Sequence, residues 1–351
     1  LVLGVKFMVS SPIVFLYNTS IIFFTLLFAL FLRKRVFGIV LISIVWLICG
    51  FANFVVLGYR ITPFAAIDLL MVKDVISMLD VYFSKVQQVL LVVAAVAVIA
   101  GIVILFRKSP KFEGKKHVMR TMLVCIVMWI GIMFFTNFNV SHNIISDDFA
   151  NLGMAYQDYG FAYCFTNSII DNGISKPDDY DETTMLHLRN KLNSEELEAD
   201  ISKKKTPNII CVQLESFFDP KVVKGLTLSE DPVPNFTRLK EKFPSGYLTM
   251  PALGAGTANS EFEVLTGIRS AYFGAGEYPY KTTVNKKPIE GMCSLLEKEG
   301  YHTFAMHNNK SSFYDRKDVY NEMGFERFIS LEYMYNVQKT STGWAKDQVL
   351  V

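Results

Sequence analysis

Four apolar runs constrain this chain more than any other feature. They cover roughly residues 12–32, 36–58, 87–106 and 118–138. Each is close to the ~20 residues that a helix needs to cross a bilayer. Any one of them could be a buried core helix. Four in succession, with charged residues between them, read as spanning helices. In hydrocarbon a helix satisfies its own backbone hydrogen bonds, which is why such runs take that form.

The charges between the runs set an orientation. Arg33, Lys34 and Arg35 separate the first two runs; Arg107, Lys108, Lys111, Lys115, Lys116 and Arg120 separate the last two. Both loops are expected on the cytoplasmic side by the positive-inside rule. The loop from about 59 to 86 balances Arg60, Lys73 and Lys85 against Asp68, Asp74 and Asp80, and suits the outer face. Everything after residue 138 is then also outside. Residues 1–9 read as the end of an earlier helix, which would make five spans. The chain starts without Met and stops at Val351 just after a new motif begins, so a fragment of a longer protein is expected. In the outer loop, Ile67, Leu70, Val75, Met78 and Leu79 alternate with Asp68, Lys73, Asp74, Ser77 and Asp80 at roughly helical spacing. That pattern suits a helix lying in the membrane interface, or a platform for a lipid substrate.

Composition separates the two halves. The chain is 51% hydrophobic, but the long apolar runs stop before about residue 140, and the remainder reads as globular. Residues 1–138 are expected to form the membrane domain, 139–206 an extracytoplasmic connector, and 207–351 the first part of a catalytic domain. A net charge of +2 gives no case for nucleic acid. The five cysteines form no Cys-x-x-Cys pair, which argues against a disulfide framework and a structural zinc site.

From Asn208 the pattern becomes α/β. Residues 208–214 are almost wholly apolar, as in a parallel strand covered on both faces. Helices are expected at 183–193, 235–243, 258–266, 289–299 and about 314–323, with a second strand at 301–307. Repeated strand–helix units imply a doubly wound sheet with its site at the strand C-termini.

Three places carry candidate chemistry. Glu215 ends the first predicted strand, as a metal ligand or an exposed carboxylate. Thr257 follows Gly254-Ala-Gly256 at a helix start. There it is an N-cap, or a hydroxyl beside free N–H groups that suit a phosphate and that a divalent metal could make nucleophilic. His307 ends the second predicted strand, pointing into the site or the core. Arg316 could grip a phosphate or be a solvated helix position; Tyr314 could hold a ligand or simply pack.

Val212-Gln-Leu-Glu-Ser-Phe217, Gly254-Ala-Gly-Thr-Ala-Asn-Ser-Glu-Phe262, and His307 with Phe313-Tyr-Asp-Arg316 resemble lipoteichoic acid synthases. These belong to the sulfatase-like branch of the alkaline phosphatase superfamily. The resemblance implies a multi-span membrane domain followed by an α/β sulfatase-like domain, incomplete at its C-terminus here. It implies Mn²⁺, with Mg²⁺ as the alternative, held by Glu215 and by Thr257 as ligand and nucleophile. It implies that His307, Arg316 and Tyr314 contact the substrate. An Asp-His pair that completes the metal site is expected beyond Val351, so this fragment is expected to be inactive alone. The implied activity moves glycerol phosphate from phosphatidylglycerol to a polymer or glycan through a phospho-threonine intermediate, outside the cell membrane. A phosphoethanolamine transferase and a non-catalytic envelope sensor or scaffold are the alternatives.

The orientation is directly testable. With the native cysteines replaced and Tyr180→Cys introduced, a membrane-impermeant thiol reagent should label intact cells. Labelling only after lysis would reverse the orientation.

Overall fold

Pro12 opens the first of the long helices, where its missing N–H has no intrahelical partner to lose. The structure, a computed structural model, describes residues 2–77, 79, 83–114, 117–146, 149, 151–170, 173–174, 179–194, 207–214, 217–250, 256–274, 276–285, 287–341 and 343–351. The short α1 (Val2–Ser10) precedes α2 (Pro12–Leu27), which a 3₁₀ turn extends to Phe31. Then come α3 (Arg35–Leu57), α4 (Val72–Ser77) after a 3₁₀ segment at Ala66–Met71, α5 (Lys85–Lys108) and α6 (Val118–Ser141). Four stretches are long and apolar enough to cross a membrane: Pro12–Phe31, Arg35–Leu57, Lys85–Lys108 and Val118–Ser141. They fall on the four runs read from the sequence, and they make this a membrane protein. Helix α5 shows why its boundary is sharp. The Ser84 hydroxyl caps the Gln87 amide and the Gln87 side chain accepts from the Ser84 N–H. No residue of α5 is buried in the protein, as befits a helix whose surroundings are lipid.

The two basic loops meet. The Phe112 N–H donates to the Arg33 carbonyl at 2.7 Å, the Lys34 ammonium reaches the Phe106 carbonyl, and the Arg35 guanidinium lies 3.4 Å from the Phe112 ring centroid. Helix α3 leaves this end, and at 1.5 Å per residue its 23 residues place Leu57 about 34 Å away.

At that far end the chain packs on itself. Helices α7 (Leu152–Tyr159) and α8 (Phe161–Ile170) lie against α2. Val14, Tyr17 and Ile21 form a core with Ala155, Ala162, Tyr163 and Cys164. Asn18 within α2 donates to the Tyr159 carbonyl at 2.8 Å and accepts from the Tyr163 N–H at 2.9 Å. An amide side chain in an apolar helix is tolerable because these bonds satisfy it.

The chain forms two compact units, Leu1–Gly173 with Ala252–Val351, and Ile174–Pro251. In the first, after the membrane helices, come α11 (Thr257–Thr266), α12 (Met292–Lys298), β1 (Phe304–His307), α13 (Arg316–Glu322) and β2 (Arg327–Ser330). The second holds α9 (Glu182–Ser194) and α10 (Pro234–Lys242). Strands β1 and β2 pair in parallel with Phe304 opposite Arg327 and His307 opposite Ser330, so β1–α13–β2 is one strand–helix–strand unit.

Two expectations need correction. Residues 208–214 form no strand; Ile210 and Val212 are 85% and 73% exposed. A parallel strand exists only through its ladder to neighbours, and the one sheet among the described residues is β1–β2. The loop after α3 also does more than lie in an interface. Ala65, Ile67 and Met71 are buried among Ala258, Phe262, Tyr278, Tyr280, Val284, Val319 and Tyr320. Leu69, Leu70, Val72, Val75 and Ile76 remain exposed on its other side. Met78 and Asp80 lie outside the described residues.

Candidate functional site

Helix α11 carries Thr257 and explains its placement. Gly256, not Thr257, is the N-cap; it sits at φ 78°, ψ 35°, in the left-handed region that a residue with a Cβ adopts at a cost. A Cβ there would also approach the Tyr278 ring to 2.9 Å. Thr257 is therefore the first helical residue, half-buried, at the positive end of the helix. The plainer expectation of Thr257 as the cap does not hold. Ala258 and Phe262 bury the inner face of α11, as their spacing predicts.

Glu261, one turn beyond Thr257, anchors the helix. Its carboxylate accepts from Arg316 Nη2 at 2.9 Å and Nε at 3.4 Å, from the Tyr280 hydroxyl at 2.9 Å, and from the Tyr320 hydroxyl. Burial opposes its ionisation, but Arg316 and the two hydroxyls outweigh burial and hold the carboxyl below the usual glutamate range. The same burial, with Glu261 adjacent, pushes both tyrosine hydroxyls up. Arg316 is only 1% exposed, so it is no solvated helix position. Its guanidinium is engaged by Glu261 and lies 5.4 Å from the Tyr314 ring centroid. Sequence reading passed over Glu261. The available signal was a carboxylate inside the stripe of Ala258, Phe262 and Leu265, where an acid needs a buried partner.

Tyr314 and Asp315 are both left-handed, at φ 57° and 54°. Each such non-glycine residue costs of order 1–3 kcal/mol and persists only where its surroundings impose it. Tyr314 is buried, its ring 5.5 Å from that of Tyr278, the same ring that abuts Gly256. Asp315 is held by Lys281 at 2.9 Å and by the Asn285 amide at 3.3 Å. His307 closes β1, half-buried, and its Nδ1 accepts the Asn309 N–H at 3.0 Å. That bond assigns the proton to Nε2 in the neutral ring and leaves Nε2 the donor.

The structure thus joins Thr257, Tyr314 and Arg316 through α11 and the Tyr278 ring, and puts His307 at the end of the strand that leads to the 313–316 turn. Glu215 lies outside the described residues. Among the described residues no three His, Cys, Asp or Glu side chains gather as a metal site requires. They do not by themselves make up the ion site that the resemblance implies.

Residues 207–351 match the Sulfatase family model, and this part of the chain is a sulfatase domain. The resemblance read from the motifs is borne out at that level. Over 265 residues the chain is 28% identical to a protein of Rhizobium meliloti (strain 1021) described as a putative cyclic beta-1,2-glucan modification protein, covering 72% of this chain and 39% of that one. The chain spans about two fifths of the length of that relative. A solved structure, the lipoteichoic acid synthase LtaP from Listeria monocytogenes, is 28% identical over 27% of this chain and 22% of its own, with a TM-score of 0.24.

The Glu261 cluster generates a stability prediction. Glu261→Gln leaves Arg316 buried without its counter-charge and should cost about 3–5 kcal/mol. The folded carboxyl titrates below the ordinary value of 4.5. Its contribution is therefore present above that value and lost as pH falls through the depressed one. Thermal melts of the wild type should drop along that acid limb, and Glu261→Gln should flatten it. Equal acid sensitivity in both would assign the limb to other carboxylates.

Proposed function

Starting from a sulfatase domain that follows membrane-spanning helices, we propose that the complete protein is a membrane-anchored phosphoglycerol transferase. The observation that carries this reading is Thr257 as the first residue of α11, presented by left-handed Gly256. A helix N-terminus carries partial positive charge, a setting that favours a phosphate beside the hydroxyl. Thr257 Oγ attacks the phosphorus of phosphatidylglycerol. A new Oγ–P bond forms, the bond from phosphorus to the diacylglycerol oxygen breaks, and that oxygen takes up a proton as diacylglycerol leaves. An acceptor hydroxyl then attacks the glycerophospho-threonine and frees Thr257. Splitting one transfer into two displacements is the purpose of such a nucleophile.

Further observations support the setting. The sulfatase segment packs against the loop after α3, at the end of α3 opposite the basic loops. With those loops cytoplasmic, the reaction is extracytoplasmic at the cell membrane. The relative described by cyclic glucan modification supports a glycan as acceptor. His307 Nε2 and Arg316 are proposed to contact the phosphoglycerol, which for Arg316 requires the Glu261 pair to open or the ligand to reach its remaining edge. Tyr314 is proposed to line the same place. Mn²⁺, with Mg²⁺ as the alternative, would be held through Glu215 and Thr257.

Thr257→Ala in the complete protein should abolish diacylglycerol release from fluorescent phosphatidylglycerol. Its effect on stability should stay within about 1 kcal/mol, since alanine suits a helix start and the cap is Gly256. A folded variant, checked by circular dichroism, that releases diacylglycerol near the wild-type rate would end the transferase reading. Glu215→Gln should weaken Mn²⁺ binding by calorimetric titration, because a neutral amide is a poor ligand for a hard divalent cation. Unchanged affinity would make Glu215 a carboxylate without a metal role.

A further inference from the structure

The segment between α3 and α5 reaches the strained turn directly. Asp74 on α4 is 3% exposed and Lys281 is 7% exposed. Their charges meet at 2.8 Å, and the same Lys281 ammonium reaches Asp315 at 2.9 Å. The Lys281 ammonium therefore lies between the two carboxylates, one on the inter-span loop and one in the turn. One carboxylate on an inter-span loop is thereby linked through the lysine to Asp315, the second of the two consecutive left-handed residues. Ile67 and Met71, one to two turns earlier, are buried against the residues that flank this clamp. Arg60, just after α3, pairs with Asp68, and the Tyr278 ring packs 5.5 Å from the Tyr314 ring.

A surface loop would have no reason to bury this acid. Burial pushes the Asp74 carboxyl above the ordinary aspartate range, and the Lys281 ammonium opposes that rise. Burying both charges is costly unless each is paired and further hydrogen-bonded. Lys281 supplies that pairing for Asp74 and Asp315 together. The Lys281–Asp315 contact and the packing of Tyr314 on Tyr278 are the surroundings that a left-handed Tyr–Asp pair needs to persist.

We propose that Asp74, with Lys281, is a positioning pair by which the loop between the second and third spanning helices holds the Tyr314–Asp315 turn left-handed and so aims Arg316 at the site. The membrane domain is then part of the catalytic geometry as well as an anchor. Neither Asp74 nor Lys281 touches substrate; they act through the turn.

Hydrogen exchange in the complete, membrane-embedded protein tests this. Asp74→Asn keeps the volume and removes the charge. Exchange at the amides of residues 313–317 should rise at least about tenfold, with exchange in β1 unchanged, as for a local opening. Asp315→Asn, at the half-exposed end of the clamp, is the second variant and should loosen the same amides if Asp74→Asn does not accumulate folded. Unchanged exchange at 313–317 in a folded Asp74→Asn protein, or in Asp315→Asn where the first does not fold, overturns the proposal. Turnover is a separate arm that rests on the transferase reading. There kcat should fall about tenfold or more with KM for phosphatidylglycerol little changed, as when an interaction made only in the transition state is lost. If the wild type transfers nothing, that reading fails while the exchange result still decides the positioning role. A fall in kcat without faster exchange at 313–317 also overturns the proposal.

Discussion

The ion pair between Glu261 and Arg316 is the contact on which the outer part of this structure depends. It joins helix α11 to helix α13 across 55 residues of sequence, with two tyrosine hydroxyls completing the carboxylate's shell. Removing either charge would strand the other in the core, a larger penalty than the pair itself is worth. The helix that begins at Thr257 is therefore fixed in place one turn from its start. The residue that fixes it also follows the left-handed turn after β1. One buried contact thus sets the relation between the candidate nucleophile and the candidate phosphate contacts.

A second layer ties that centre to the membrane helices. Ala65, Ile67 and Met71 supply apolar surface to the same core as Phe262 and Tyr280, while Asp74 and Arg60 supply charge. The loop is two-sided. Its inner face packs on the sulfatase segment, and its outer face leaves Leu69, Leu70, Val72, Val75 and Ile76 exposed, close in sequence to spans on either side. For an enzyme acting on a lipid, such an element would place the site at the depth where the phosphate lies.

Legibility from sequence followed the range of the physics involved. The four spans were readable to within about three residues at each end because hydrophobic length is a local property, while the Ser84 cap fixes an edge that the apolar run alone put two residues later. Helices α9, α10 and α11 were readable from apolar spacing and punctuation. The segment 208–214 misled, because an apolar run records what a strand needs and says nothing of whether neighbours complete its ladder. Arg316 was open to a phosphate or a solvated reading, and neither anticipated its pairing with Glu261. Lys281 and Tyr278 carried no local signal at all, since their importance comes from partners more than 30 residues distant in the chain.

The sequence by itself determined that this chain crosses a membrane and then becomes a sulfatase-like domain with a hydroxyl at a glycine-led helix start. Those properties reside in runs of neighbouring residues, where hydrophobicity, charge and turn chemistry sum locally. Tertiary structure alone decided that Gly256 is the cap, that Arg316 is buried against Glu261, and that Lys281 joins an aspartate between two spans to Asp315 just before Arg316. Such pairings depend on which distant groups share one dehydrated place. A charge or a strained dihedral there is tolerated only if its partners arrive from elsewhere in the chain.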